Sequence, residues 1–340
     1  MKNRKELILK EIVDQYIETG KPVSSKILLD KYDLNFSSAT VRNDMHELEE
    51  DGYLEKPYTS GGRIPTVEGY RYFVNWLLEL SDLSSEEQRA IVEAYEFEQQ
   101  DTGRLLRNTA SLLANITGYT GFVLGPNLEE RRVKFFTLTR LDRRHLLAIL
   151  VTDIGLVENR IIRADRDVDS GQLEQIVPLL SDRLQGKKIG DLMELKNVEL
   201  NEEGWYDKLT RDSFLFIKKF MEERNYRRFY IEGTLNLISD EENPDQDTRD
   251  LKKALTRLDG KRLARMAEKC DKEKNNINAV VGLDDASSFL PYSLVVKHLA
   301  NCSSSLGILG PIDMDYSKSF STVQYIGSRL DSLLTAGKKN

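Results

Sequence analysis

Residues 37–74 read SSATVRNDMHELEEDGYLEKPYTSGGRIPTVEGYRYFV, and their periodicity decides the fold. Ser37 or Ser38 is placed to cap a helix start. Val41, Met45 and Leu48 follow at i, i+4 and i+7 and give that helix one buried face. Gly52 ends it. The period then changes: residues 53–56 read as a short strand, 59–62 as a flexible tip, and Arg63-Ile64-Pro65 as the return. Thr66 caps a further helix with Tyr70, Phe73, Val74, Leu77 and Leu78 as its stripe. On the N-terminal side, Leu7, Ile8, Ile12, Val13, Tyr16 and Ile17 fall on a helical stripe stopped by Gly20 and Pro22. Ser24 then caps a short helix with Ile27, Leu28 and Leu29 inside. Two helices, a turn, a third helix and a hairpin are the order of a winged helix-turn-helix, predicted for residues 1–80.

The third helix begins with the side chains a major groove accepts. Ser37, Ser38, Ala39 and Thr40 are small or hydroxylated, so backbone N–H groups and hydroxyls can meet phosphates. Arg42 can read guanine and Asn43 adenine. His46 lies one turn beyond Arg42, and Thr59, Ser60 and Arg63 lie on the hairpin. These ten positions are the predicted DNA-binding residues. One feature opposes the reading: residues 36–65 carry three bases, Arg42, Lys56 and Arg63, against six acids, Asp44, Glu47, Glu49, Glu50, Asp51 and Glu55. A single such domain should bind weakly, and pairing two domains on two half-sites recovers affinity through effective concentration. A homodimer on an inverted-repeat duplex is therefore expected.

The rest of the chain narrows the function by what it lacks. Of its 340 residues 40% are hydrophobic and 31% charged, with a formal net charge of −7, so any nucleic acid must meet a local basic surface rather than a global field. No apolar run approaches the ~18 residues of a membrane span, and the basic start Met1-Lys2-Asn3-Arg4-Lys5 leads into no apolar signal region. Two cysteines, Cys270 and Cys302, are no disulfide framework, and a cytoplasmic setting is expected. Three scattered histidines and the absence of metal-binding, phosphate-loop or nucleophile-elbow strings argue against an enzyme. Neither a cofactor nor a metal is expected; Asp284-Asp285, after a predicted strand, has no further ligands nearby in sequence.

Ser81 to Ser84 is a polar linker, and Ser84 with Glu87 forms a capping box. Helical periodicity runs to residue 116, interrupted near 101–103. Strands are expected at 121–124, 133–138, 146–152, 156–162, 280–283, 294–297 and 306–309. Helices are expected at 172–184, 208–224, 249–269 and 316–334, with an acidic loop at 240–250. Strands at both ends with helices between predict a multidomain α+β chain.

The string at 37–74 closely resembles the heat-inducible transcription repressor family, HrcA: an SSATVRNDM-type helix, a T-S-x-G-R-I-P-T wing and a G-Y-R-Y-F-V continuation. Thr117-Gly118-Tyr119-Thr120-Gly121 with Gly125-Pro126, and Leu306 to Pro311 followed by Met314-Asp315-Tyr316, extend the similarity along the chain. Tyr58 stands where the family usually has His, and Ile312-Asp313 where Thr-Arg is common. The resemblance implies a homodimer of subunits with a winged helix, a GAF-like α/β domain (84–163 and 226–340) and an inserted helical or mixed dimerisation domain (164–225). It implies repression of chaperone operons at an inverted-repeat CIRCE-type operator, relieved on heating when a GroEL-type chaperonin is drawn away. The alternative is a small-molecule-sensing transcriptional regulator with its ligand pocket in the GAF-like domain.

Overall fold

The computed structural model describes residues 3–32, 36–57, 61–96, 102–126, 128–164, 166–194, 229–237, 277–285, 288–299 and 304–336. The predicted helices 208–224 and 249–269, the acidic loop, the helix interruption as far as residue 101, Thr59, Ser60, Cys270 and Cys302 lie outside them.

Three helices open the chain: α1 (Asn3–Thr19), α2 (Ser25–Lys31) and α3 (Ser38–Glu50). Ser24 accepts from the Ile27 N–H and Ser37 from the Thr40 N–H, each satisfying an amide with no partner in its own helix. Gly52, at φ 81°, turns the chain out of α3 in the left-handed conformation that costs glycine least. Ile8, Leu9, Ile12 and Val13 of α1, Leu28 of α2 and Val41, Met45 and Leu48 of α3 are buried together. Ile27 departs from expectation: it is 39% exposed, because a seven-residue helix turns only one of three consecutive apolar residues fully inward.

Strand β1 (Leu54–Glu55) pairs antiparallel with β2 (Ile64–Pro65). The return strand is stapled to the α1–α2 connection by a bridge between Val23 and Arg63. Thr66 caps α4 (Val67–Tyr72), which continues as a π-helical turn over Phe73–Leu77. Ser84 and Glu87 form the expected capping box at α5 (Ser85–Glu96): the Glu87 carboxylate accepts from the Ser84 N–H at 2.9 Å and the Ser84 hydroxyl from the Glu87 N–H at 3.2 Å. Helix α6 (Thr102–Thr117) then leads into β3 (Thr120–Leu124).

After Gly125-Pro126 the chain builds a second layer. Strands β4 (Val133–Arg140), β5 (His145–Thr152) and β6 (Val157–Arg163) form a three-stranded antiparallel sheet in sequence order, covered on one face by α7 (Ser170–Leu184), with α8 (Ile189–Glu194) completing the layer. Phe136, Leu138, Leu146, Ala148, Leu150 and Ile162 meet Leu173, Ile176, Leu180, Leu184 and Ile189 in a core of their own. This changes the expected domain limits: residues 133–163 belong with α7 and α8, not with the strands of the 84–163 and 226–340 unit. Nothing local marks the change of partner, since consecutive strands usually share a sheet.

The chain returns as β7 (Phe229–Glu232), β8 (Ile277–Val280), the hairpin β9 (Leu283–Asp285) and β10 (Ser288–Leu290), then β11 (Tyr292–Leu299) and β12 (Ser304–Pro311). A five-stranded antiparallel sheet in the order β7-β3-β12-β11-β8 results. Helices α6 and α9 (Tyr316–Ala336) pack on it and on each other. A Cβ on Gly121 would stand 2.2 Å from the Ala110 carbonyl oxygen, so α6 lies this close to β3 only over a glycine.

The N-terminal helices dock on this layer and share its core. Arg71 donates from Nε to the Val281 carbonyl at 3.0 Å, and the Ser317 hydroxyl donates to Glu79 O and accepts from the Ser81 N–H. The Tyr70 and Tyr316 rings meet tilted, with centroids 6.3 Å apart. Among the described residues no helix is long and apolar enough to cross a membrane.

Candidate nucleic-acid interface

Helix α3 presents a single polar stripe. Ser38, Ala39, Arg42, Asn43 and His46 are all exposed, and their spacing of three and four places them along one side of the helix. His46 is 63% exposed by side chain and lies 3.9–4.0 Å from Glu49 and Glu50. At the helix start the Ser37 and Thr40 hydroxyls lie 2.8 Å apart while Ser37 holds the Thr40 N–H. The first amides of the helix still face outward, where the helix dipole favours an anion. Arg42 donates from Nε to the Ser25 hydroxyl of α2 at 3.2 Å, and Asn43 donates from Nδ2 to Glu47 at 2.7 Å.

Bases from α1 and the hairpin answer the charge problem raised by the sequence. Asp44, 1% exposed by side chain, takes a two-pronged contact from Arg4 of α1, with Nε to Oδ2 at 2.5 Å and Nη2 to Oδ1 at 2.8 Å. Lys5 lies 2.6 Å from Glu47 and 3.6 Å from Asp51 and holds the Glu47 carboxyl below the usual carboxylate range, chiefly through the hydrogen bond. Arg63 reaches Glu49 with Nε at 2.9 Å and Nη2 at 2.6 Å. Four of the six acids thus face bases, and two of those bases come from α1, outside the counted window. Each exposed pair contributes little to stability; together they remove much of the negative field from the helix that would face a phosphate backbone.

The ten predicted residues fare differently. Ser37, Ser38, Ala39, Thr40, Arg42, Asn43 and His46 are brought together at the exposed side and start of α3. Arg63 is not a wing-tip cation: its side chain is 17% exposed and bonded to Glu49, so it ties the base of the hairpin to α3. A cation locked in this way is held by a carboxylate that competes with any phosphate. Thr59 and Ser60 fall outside the described residues. Arg4, Lys5 and Ser25 went unrecognised; the basic run at the start of the chain was visible, but its partners lie about 40 residues away. No group of three or more His, Cys, Asp or Glu among the described residues is placed to hold a metal ion.

The model of the HrcA protein C-terminal domain matches residues 103–320. The chain belongs to the HrcA family. Among its curated relatives, a protein of Halalkalibacterium halodurans is 33% identical over 340 residues, covering 98% of this chain and 97% of its own. One of Pelotomaculum thermopropionicum is 31% identical over 345 residues, covering 98% and 96%. Both carry the name heat-inducible transcription repressor HrcA. A crystal structure of a hypothetical protein matches 99% of each chain with a TM-score of 0.69 at 24% identity, which establishes for this family member a full-length fold shared with an experimental structure.

Proposed function

We propose that the chain, a heat-inducible transcription repressor by family, binds an inverted-repeat duplex as a homodimer. The N-terminal unit acts as a winged helix-turn-helix: the start of α3 enters the major groove, Arg42 and Asn43 meet base edges, Ser37, Ser38, Ala39 and Thr40 lie against phosphates, and His46 follows along the groove. Thr59 and Ser60, which lie between the two hairpin strands in sequence, extend the phosphate contacts, while Arg63 fixes the hairpin. The observation that carries the reading is that α3 exposes Arg42 and Asn43 near its start while Asp44, Glu47, Asp51 and Glu49 are paired with Arg4, Lys5 and Arg63.

In this reading the five-stranded sheet with α6 and α9 is the GAF-like domain, and the three-stranded layer with α7 and α8 is the dimerisation domain. Dimerisation through that layer supplies the second half-site contact that one modest surface needs. A GroEL-type chaperonin sustains the operator-competent state until heat diverts it to unfolded proteins. The experiment is a salt-titrated binding assay on a CIRCE-type inverted repeat and a scrambled duplex of equal length. A preference of about 10³ or more for the repeat is expected. Adding chaperonin should raise the competent fraction, and adding a denatured protein as competitor should lower it. Equal affinity for repeat and scramble removes the reading.

A further inference from the structure

The two exposed side chains suited to base edges are both held from behind. Arg42 donates its Nε to the hydroxyl of Ser25, at 3.2 Å, and Ser25 sits on α2, 7% exposed. Asn43 donates from Nδ2 to Glu47 Oε1 at 2.7 Å, and Glu47 is fixed in turn by Lys5, whose Nζ lies 2.6 Å from its other oxygen. An arginine has five N–H donors in a fixed fork. With Nε occupied, the two terminal nitrogens of this exposed side chain are left for other acceptors, and their spacing matches the O6 and N7 acceptors of guanine. An asparagine amide can face either way at no cost in shape. With one Nδ2 hydrogen held by a carboxylate that only accepts, its orientation is set, and Oδ1 with the second Nδ2 hydrogen is left for the N6–H and N7 of adenine.

We propose that Ser25 and Glu47 are positioning residues that fix which polar edges Arg42 and Asn43 present, and so set the base preference of this chain without touching DNA. The proposal rests on the reading of α3 as the DNA-contacting helix. It also explains an acid in the middle of such a helix. Glu47 lies one turn after Asn43 and is anchored by Lys5, so its negative charge is spent within the protein while its geometry orients the amide.

Binding preference can be read from full-length protein selecting from a duplex library in which each half-site base of the inverted repeat is randomised. The chains compared are the parent, Arg42→Ala, Asn43→Ala, Ser25→Ala, Ser25→Thr, Glu47→Ala and Glu47→Gln, each with a thermal unfolding midpoint. Ser25→Ala should flatten preference by about three- to tenfold, the worth of one hydrogen bond, at the same base position that Arg42→Ala flattens. Glu47→Ala should do so at the position lost in Asn43→Ala. Ser25→Thr keeps a hydroxyl and should retain the parent preference, whereas Glu47→Gln can donate as well as accept, no longer fixes the Asn43 amide, and should flatten preference at the Asn43 position. Affinity for scrambled duplex should stay unchanged in Ser25→Ala, which a general loosening of the domain would lower together with the midpoint. If Arg42→Ala and Asn43→Ala lose preference while Ser25→Ala and Glu47→Ala keep it, the positioning role is overturned and the DNA-contacting helix stands. If Arg42→Ala and Asn43→Ala also keep it, both fall.

Discussion

The outward face of the three-stranded sheet offers the sharpest way to break the proposed dimer without disturbing a protomer. Val151 lies between Phe135 and Val157, and Leu147 lies beside Ile161, across the paired strands. Phe135, Val157 and Ile161 are 51%, 52% and 56% exposed. Full burial of such a side chain stabilises by about 1.5–3 kcal/mol, so covering the exposed half yields about 1 kcal/mol each. Three per protomer, counted on both sides of a two-fold interface, give about 6 kcal/mol, or roughly 10⁴-fold in association. Ile161→Glu removes two of these contributions, about 2 kcal/mol, and adds the desolvation of two carboxylates at several kcal/mol. A dimer at least ~10³-fold weaker is expected. Sedimentation equilibrium over a concentration series measures it. The unfolding midpoint of the protomer should barely move, since Ile161 points to solvent and such substitutions stay within about 0.5 kcal/mol. Operator affinity should fall by about 10²–10⁴ through lost avidity. An Ile161→Glu chain that sediments as a dimer with its dissociation constant unchanged would refute the assignment of this face.

Other consequences concern the DNA surface, the second core and the domain junction. Arg42→Ala should cost about 1–3 kcal/mol per half-site and relax preference at one base pair, while leaving the slope of binding against salt unaltered, as a base contact does and a phosphate contact does not; filter binding at several salt concentrations decides. Phe136→Ala, at a site 1% exposed in the second core, should lower stability by about 3–5 kcal/mol and appear as a depressed denaturation midpoint. Asp14 of α1 is pushed up to about 6, first by burial and then by Glu11, Glu79 and Asp315, with Lys10 opposing. A carboxyl whose folded value is raised above its ordinary 3.8 favours the folded state fully below that ordinary value and loses this contribution as pH rises through about 6. Removing it with Asp14→Asn should therefore reduce the loss of stability between pH 4 and pH 7, measured as the shift in unfolding midpoint across ~3 pH units.

What could be read from the chain alone follows a physical division between local and distant causes. The caps at Ser24, Ser37 and Thr66 and the Ser84–Glu87 box are set by residues within four positions of one another, and all are found where the pattern places them. Helix α7 starts two residues before the expected 172, at Ser170, because Asp169 caps it in a reciprocal box with Gln172. Most strand positions were visible, though not β7, and the strand expected at 280–283 is broken at 281–282 between β8 and β9; which sheet each strand joins was not visible, because pairing is decided by faces brought together over long separations. The surface of α3 shows the same limit. Its Arg-Asn stripe follows from helical spacing, whereas the bases that neutralise its acids come from α1, and the hydroxyl behind Arg42 comes from α2. A charge count along a window of sequence could not see either.

The central claim is that two α3 stripes read one palindromic duplex together. The direct measurement is the stoichiometry and affinity of the full chain on an inverted-repeat duplex, compared with the same duplex carrying one half-site scrambled. Two protomers bound per repeat, with an affinity at least ~10² higher than for the half-scrambled duplex, is the expected result. One protomer bound to either duplex with equal affinity would contradict the account.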